Sequence, residues 1–318
     1  MIYYMDKITK IWNQSLSNEY GRLAQGNDAG VKGTDTIEFI HITDVPKNKK
    51  VTYANFVCDK RQLKKERYRV RLTVGGNRLE YEFDAGSPAT NMLETKLMLN
   101  SVISDATKGA RFLTMDIKDH FLATPMANPE YMKIPYKYIP PDIRKRYNLD
   151  ELVHDGYIYV KIKKGMYGLK QAAILAYTYL CNHLKPFGYY HVPGTHGIFA
   201  HETRPTKFCL CVDDFGVKYF TQEDKNHLIN ALCYQNKFKI TIDETGKHFC
   251  GLTLDWNYHL GYVDISMPNY VKKALQHLYP NPPIPQYSPH QHIPIIYGKK
   301  GSQQFAPERD KSKLLPPK

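Results

Sequence analysis

The sequence has no run of about 18 uninterrupted apolar residues, the minimum for a membrane span. Its first residues, MIYYMDKITKIWNQ, contain no long apolar stretch followed by a small-residue cleavage site, as a secretory signal would. We therefore expect a protein that has no membrane partner and stays inside the cell, in the cytoplasm or the nucleus.

Paired cysteines are also missing. The six cysteines are scattered, none has the C-x-x-C spacing of a zinc site, and Cys209 with Cys211 forms a lone C-x-C. This pattern excludes a disulfide-stapled secreted scaffold and favours reduced thiols in the core over metal ligands.

Acidic residues are fewer than basic ones. The 318-residue chain has 31 Asp and Glu against 44 Lys and Arg, a formal net charge of +13. This excess favours a polyanionic partner such as nucleic acid, although a basic soluble protein without one would have the same composition. The 42% content of hydrophobic residues is enough to form a sizeable core.

The order of patterns along the chain predicts a mixed α and β protein. Residues 1–50 contain no recognisable catalytic pattern and are interpreted as a lead-in segment. Residues 51–76 alternate apolar with basic side chains and predict a cationic β-hairpin. Residues 87–103 have the spacing of an amphipathic helix, and residues 281–318 are rich in proline and predict an extended or disordered tail.

Three carboxylates lie where packing does not require them. Asp116 ends an apolar segment, RFLTMDI, that predicts a buried strand, and Asp213 with Asp214 occupies a tight turn between two apolar strands. Adjacent like charges repel unless a cation neutralises them, and oxygen ligands favour Mg²⁺ or Mn²⁺. The alternative is ordinary turn chemistry, since Asp favours turns on its own account.

The sequence segments around these carboxylates resemble the successive motifs of the reverse transcriptases of copia-type LTR retrotransposons. The resemblance runs from about residue 51 to residue 278 and includes five motifs in the family's order. These are RYRVRLTVGG, FLTMDIKDHFLATPM, KKGMYGLKQAA, LCVDDFGVKY and KHFCGLTLDW. Cys211 and His120 depart from it, since the family usually has tyrosine and a smaller residue there.

This resemblance implies an α+β right-hand polymerase with an antiparallel palm sheet, β-rich fingers and a partial thumb. Residues 51–258 would form the fingers and palm, and residues 259–280 the partial thumb. The implied activity is that of an RNA-directed DNA polymerase, which adds dNTPs to a primer paired with an RNA or DNA template, in the cytoplasm, in a retroelement particle or in the nucleus.

The resemblance also implies residue roles. Asp116, Asp213 and Asp214 would be catalytic and would ligate Mg²⁺ or Mn²⁺ together with the backbone carbonyl of Ile117. The incoming nucleotide would be bound by Lys65, Arg69, Arg71, Phe121 and Gln171. Phe249 and Gly251 would form the primer grip, although Phe249 could equally be a buried strand aromatic. Either Lys237 or Lys239 would act near pyrophosphate.

Two rival functions use the same residues. One is a catalytically inactive nucleic-acid-binding remnant, a truncated or decayed copy that keeps the basic groove. The other is an unrelated metal-dependent hydrolase, which would not explain the cationic hairpin or the GLKQ segment.

Overall fold

The computed structural model of the chain describes residues 2–61 and 66–278. Lys65 and the proline-rich segment 281–318 lie outside the described residues. Six helices are present in the described part. They are α1 (Ile2–Leu23), α2 (Met92–Ser104), α3 (Pro141–Arg146), α4 (Ala172–Leu184), α5 (Gln222–Cys233) and α6 (Pro268–Leu278).

Fourteen strands of the described residues form three sheets. The first seven are β1 (Ile37–Ile40), β2 (Val51–Lys60), β3 (Tyr68–Val74), β4 (Arg111–Ile117), β5 (Pro125–Pro135), β6 (Tyr157–Lys164) and β7 (Tyr189–His191). The others are β8 (Ile198–His201), β9 (Lys207–Cys211), β10 (Asp214–Tyr219), β11 (Ile240–Asp243), β12 (His248–Phe249), β13 (Leu252–Asn257) and β14 (Tyr262–Ser266). The predicted α+β class is confirmed.

We call the six-stranded sheet the palm sheet and the five-stranded sheet the fingers sheet, after the regions that the resemblance implies. The palm sheet is fully antiparallel, in the order β11-β4-β10-β9-β8-β7. Successive residues of β4 point to opposite faces, as the period of a strand requires. Leu113, Met115 and Ile117 are buried in the cluster that includes α4 and α5, whereas Phe112 packs with α2 on the other face. Asp116 belongs to the face of Phe112.

The fingers sheet has the order β1-β6-β5-β2-β3, with β2 and β5 parallel and the other pairs antiparallel. The predicted hairpin is its β2-β3 edge. A third sheet, β12-β13-β14, packs through Phe249 and Leu252 onto the Phe112 face of the palm sheet.

The interpretation of residues 1–50 as a lead-in segment missed two elements. Helix α1 buries Tyr20 and Leu23 in the core cluster of the fingers sheet, and β1 pairs with β6. The prediction failed because the helix buries only part of its surface against the sheet and no catalytic motif marks it.

Helix α2 begins later than the spacing predicted. The side chain of Asn91 accepts a hydrogen bond from the backbone N–H of Glu94 (2.9 Å), and this N-cap places the first helical residue at Met92.

The six cysteines are free thiols in the structure. The expectation that they lie in the core was wrong for Cys58 and Cys250, which are exposed.

Residues 2–267 belong to one compact unit, and α6 belongs to a second unit of the chain. Within the described residues, no helix is long and apolar enough to cross a bilayer.

Candidate active site

The strand register brings the three predicted carboxylates to one end of the palm sheet. Asp214, the first residue of β10, is the cross-strand partner of Asp116 on β4. Cross-strand partners have Cα atoms roughly 4.5 to 5.5 Å apart and side chains on the same face. The backbone N–H of Ile117 donates to the carbonyl oxygen of Asp213 (3.0 Å), which fixes the hairpin tip beside the end of β4.

The turn that presents Asp213 is strained. Val212 has φ of +63°, in the left-handed region that a β-branched side chain rarely adopts. Such a conformation costs on the order of 1 to 3 kcal/mol and persists only where the surrounding pairing enforces it. Here β9 and β10 pair directly on both sides of the turn, with Asp214 opposite Cys211.

Burial and mutual repulsion disfavour the charged form of the carboxylates. Burial, followed by the charges of Asp213 and Asp116, raises the pKa of Asp214 to about 6. Burial and the charge of Asp116 also raise the pKa of Asp213, which Arg71 opposes. For Asp116, burial raises the pKa and Lys118 lowers it. Within the described ranges, none of the three takes part in an ion pair.

These carboxylates interact electrostatically but do not form a closed metal-binding cluster. No group of three or more His, Cys, Asp or Glu side chains in the described part of the chain is placed to hold a metal ion. Nevertheless, the donor set is entirely oxygen, its carboxylates repel one another, and they form no ion pair within the described ranges. A hard divalent cation prefers oxygen ligands and would neutralise the repulsion between the carboxylates. The residues therefore fit Mg²⁺ or Mn²⁺, with Ile117 buried at the end of β4 beside them.

Two predicted nucleotide-binding cations lie on β3. The guanidinium of Arg71 is exposed and lies 5.4 Å from the ring centroid of Tyr167, and its charge lowers the pKa of Asp213. Burial, then the charges of Arg71 and Arg22, lowers the pKa of the half-buried Arg69. Among the described residues, neither Arg69 nor Arg71 has a carboxylate partner, so the cluster carries uncompensated positive charge.

Phe121 lies near the same group of side chains. Its ring is half-buried and makes an edge contact with Tyr167, with the centroids 5.2 Å apart. The backbone of Tyr167 is fixed by the hydrogen bond that the N–H of Val74 donates to its carbonyl (2.8 Å). Gly168 makes this close approach possible, because a Cβ there would lie 2.1 Å from the carbonyl oxygen of Val74.

Gln171 is buried at the N-terminus of α4. Its side-chain amide donates a long hydrogen bond to the carboxylate of Glu130 (3.4 Å). Of the two candidate lysines, Lys237 has its ammonium group 4.3 Å from the ring centroid of Tyr179. Lys239 accepts a hydrogen bond at its carbonyl from the N–H of Lys118 (2.8 Å), in the loop after Asp116.

The two predicted primer-grip residues differ in accessibility. Phe249 is only 2% exposed and packs edge-on against Phe112, so its side chain supports the core, the alternative left open by the sequence. Gly251 is exposed at φ +81° with open space around its Cα. The turn still lies near the carboxylates, because a Cβ on Gly216 of β10 would come within 3.2 Å of the Phe249 ring.

Tyr167, Arg22 and Asp119 were not identified from the sequence as site residues. Arg22 lies on α1 and donates to Asp119 (2.6 Å), three residues after Asp116. Tyr167, directly before GLKQ, shows no sign in the sequence of its contact with Arg71, and an arginine on an amphipathic helix most often faces solvent. The long-range contacts that reveal these residues cannot be deduced from local spacing.

Comparison with known proteins gives three findings. A family model described as "Reverse transcriptase (RNA-dependent DNA polymerase)" matches residues 37–289, well over half of the chain. A transposon Ty5-1 protein of Saccharomyces cerevisiae is 29% identical over 164 residues, which are 50% of this chain and 48% of the yeast protein. The chain therefore matches about half the length of that curated relative.

Among solved structures, apo telomerase from Candida tropicalis, truncated from its C-terminal domain, is similar at a TM-score of 0.40 and 13% identity. The similarity covers 81% of this chain and 60% of the telomerase chain.

Proposed function

Because the chain belongs to the reverse transcriptase family, we propose that it catalyses template-directed addition of dNTPs to a primer 3′-hydroxyl, with RNA or DNA as template. The observation that carries this proposal is the register of β4 and β10, which places Asp116 opposite Asp214 and ties Ile117 to Asp213. A basic protein that only binds nucleic acid does not need three repelling carboxylates at one sheet end.

Asp116, Asp213 and the carbonyl of Ile117 would hold Mg²⁺ or Mn²⁺, with Asp214 as the third carboxylate. The chemistry that two divalent ions supply in such sites is activation of the attacking hydroxyl and stabilisation of the leaving phosphates. Ligation would also relieve the repulsion by Asp213 and Asp116 that, after burial, raises the pKa of Asp214. No covalent protein intermediate is required, since positioning and electrostatics provide most of the rate.

The remaining residues would bind and orient the substrates. Arg69 and Arg71 would pair with the triphosphate, for which a guanidinium has suitable bidentate geometry. Lys65 would join them. Phe121 would exclude a 2′-hydroxyl, and Gln171 would lie near the nascent base pair. Lys239 would act near pyrophosphate, and the exposed turn at Gly251, supported by Phe249, would contact the primer.

In this proposal the fingers and palm comprise residues 51–258 together with α1 and β1, which pack on the same sheet. Strand β14 pairs with β13, so the proposed thumb is reduced to α6.

The direct test is extension of a DNA primer on an RNA template by the purified chain, with dNTPs and Mg²⁺. We expect extension that stops on chelation and resumes when Mg²⁺ is restored. Template binding without extension in any divalent metal would favour the inactive remnant, and dinucleotide release without dNTPs would favour a hydrolase.

A further inference from the structure

Strand β3, which carries Arg69 and Arg71, is the outer strand of the fingers sheet. Every second N–H of such a strand has no partner in the sheet. Here the N–H of Val70 donates to the side-chain oxygen of Ser15 (2.8 Å), and that of Leu72 donates to Glu19 (3.1 Å). Both acceptors belong to α1, so the helix completes the edge of β3 with side chains.

Glu19 is a buried carboxylate, with its side chain only 4% exposed, and it is neutralised by Arg22. The Nε and Nη2 atoms of Arg22 donate to Glu19 Oε2 at 3.1 and 2.7 Å. The remaining terminal nitrogen, Nη1, donates to Asp119 Oδ1 at 2.6 Å. One guanidinium therefore links the edge of β3 to the loop after Asp116.

Asp119 is a suitable anchor for that loop. It lies between Asp116 and Phe121, has φ of +54°, and accepts at its carbonyl from the N–H of Ala123 (2.9 Å). Its position affects both the end of β4 and the ring of Phe121.

We propose that Glu19, Arg22 and Asp119 form a brace that sets the distance between the triphosphate-binding arginines and the catalytic carboxylates. This inference rests on the proposed function. Helix α1 lies outside residues 37–289, which match the family, yet it would be a working part of the nucleotide site. Arg22 and Asp119 are positioning residues, because they act through β3 and through the loop.

The brace is tested with Asp119→Asn, which weakens the pair with Arg22 but leaves the contact between Glu19 and Leu72. The matched control is Asp28→Asn, which weakens the ion pair between Asp28 and Arg146 elsewhere on the surface. Arg22→Lys keeps the charge but removes the planar fork that reaches both carboxylates.

Two measurements are made on each variant: equilibrium binding of dTTP to the complex with template and primer, and the KM and kcat of single-nucleotide addition. We expect dTTP binding to weaken and KM to rise by about 10-fold in Asp119→Asn and Arg22→Lys, because displaced arginines would make weaker charge-assisted hydrogen bonds to the triphosphate. In Asp119→Asn the melting temperature and the affinity for template and primer should stay at wild-type values, as should every parameter of Asp28→Asn. Arg22→Lys leaves the buried Glu19 with fewer hydrogen bonds and should also lower the melting temperature, so the affinity for template and primer is the control for that variant.

Unchanged dTTP binding and KM in both brace variants would overturn the proposal. A parallel loss of melting temperature and template affinity in Asp119→Asn would also overturn it, because it would indicate a structural role only. If the wild type does not add nucleotides, the proposed activity fails, and dTTP binding alone then decides for or against the brace.

Discussion

The palm sheet and the fingers sheet support their charged residues in different ways. The carboxylates of the palm extend from β4 and β10, adjacent strands with partners on both sides. The arginines of the fingers extend from β3, an edge strand whose outer N–H groups bond to side chains of α1. One set of charges is fixed by backbone pairing, and the other depends on side chains far away in sequence.

The two regions also differ in electrostatics. Among the described residues, the palm carboxylates form no ion pair, and neither Arg69 nor Arg71 pairs with a carboxylate. Each set is unfavourable alone. Arg71 lowers the pKa of Asp213, so the two sets already influence one another, and a metal-bound triphosphate would neutralise both.

Apart from loss of the catalytic carboxylates themselves, the largest effect is expected on the fingers side, from Arg71→Ala. Loss of a guanidinium that pairs with phosphate should raise the KM for dNTP by about 100-fold, corresponding to 2 to 3 kcal/mol for a charged hydrogen bond. Steady-state single-nucleotide addition measures it. The control is Arg61→Ala, because Arg61 already pairs with Glu66 (2.6 Å); equal effects of both variants would argue against a specific role of Arg71.

Phe121→Val tests the boundary between the two regions. If the ring excludes the 2′-hydroxyl, the variant should use rNTPs relative to dNTPs about 10-fold better, since a steric wall acts on only one substrate. Phe56→Val is the control, because Phe56 packs against the same core cluster. An unchanged ratio with a lower melting temperature would assign Phe121 to the core.

His120 lies between Asp116 and Phe121 in the sequence, and its titration gives a pH-dependent test. Burial lowers the pKa of His120 to about 4, and neither ring nitrogen has a hydrogen-bond partner in the described residues. Between about pH 6.5 and 4, His120 is protonated in the unfolded chain but stays neutral in the folded chain. The free energy of unfolding therefore falls as pH falls through this range. His120→Leu should therefore be the more stable protein at pH 4.5, by about 2 kcal/mol in chemical denaturation. Equal pH slopes for both proteins would contradict this.

Asp214→Asn tests the repulsion in the palm. A raised folded-state pKa favours the folded protein at low pH, and this contribution is lost as pH rises from about 4 through about 6. At pH 7 without metal, the variant should be more stable than wild type by about 1 kcal/mol, after allowance for solvent screening. Glu244→Gln, an ion-paired surface acid, should not gain stability. A variant no more stable than wild type would show that the repulsion is negligible.

The sequence predicted those parts of the fold that depend on local patterns. The strands around Asp116 and Asp213 follow from short apolar runs and from the acidic turn between two of them. It did not predict the left-handed Val212, which tertiary pairing imposes against local preference. Nor could it predict the link from Glu19 through Arg22 to Asp119, because the residues joined lie 97 positions apart.

The central claim is that Asp116 and Asp213 form the metal-dependent catalytic centre. It is tested most directly by measuring Mg²⁺-dependent primer extension on RNA by the wild type, Asp116→Ala and Asp213→Ala, with the melting temperature of each. We predict a loss of extension on the order of 1000-fold or more in both variants, with the folded state retained. Wild-type extension by both folded variants would contradict the account.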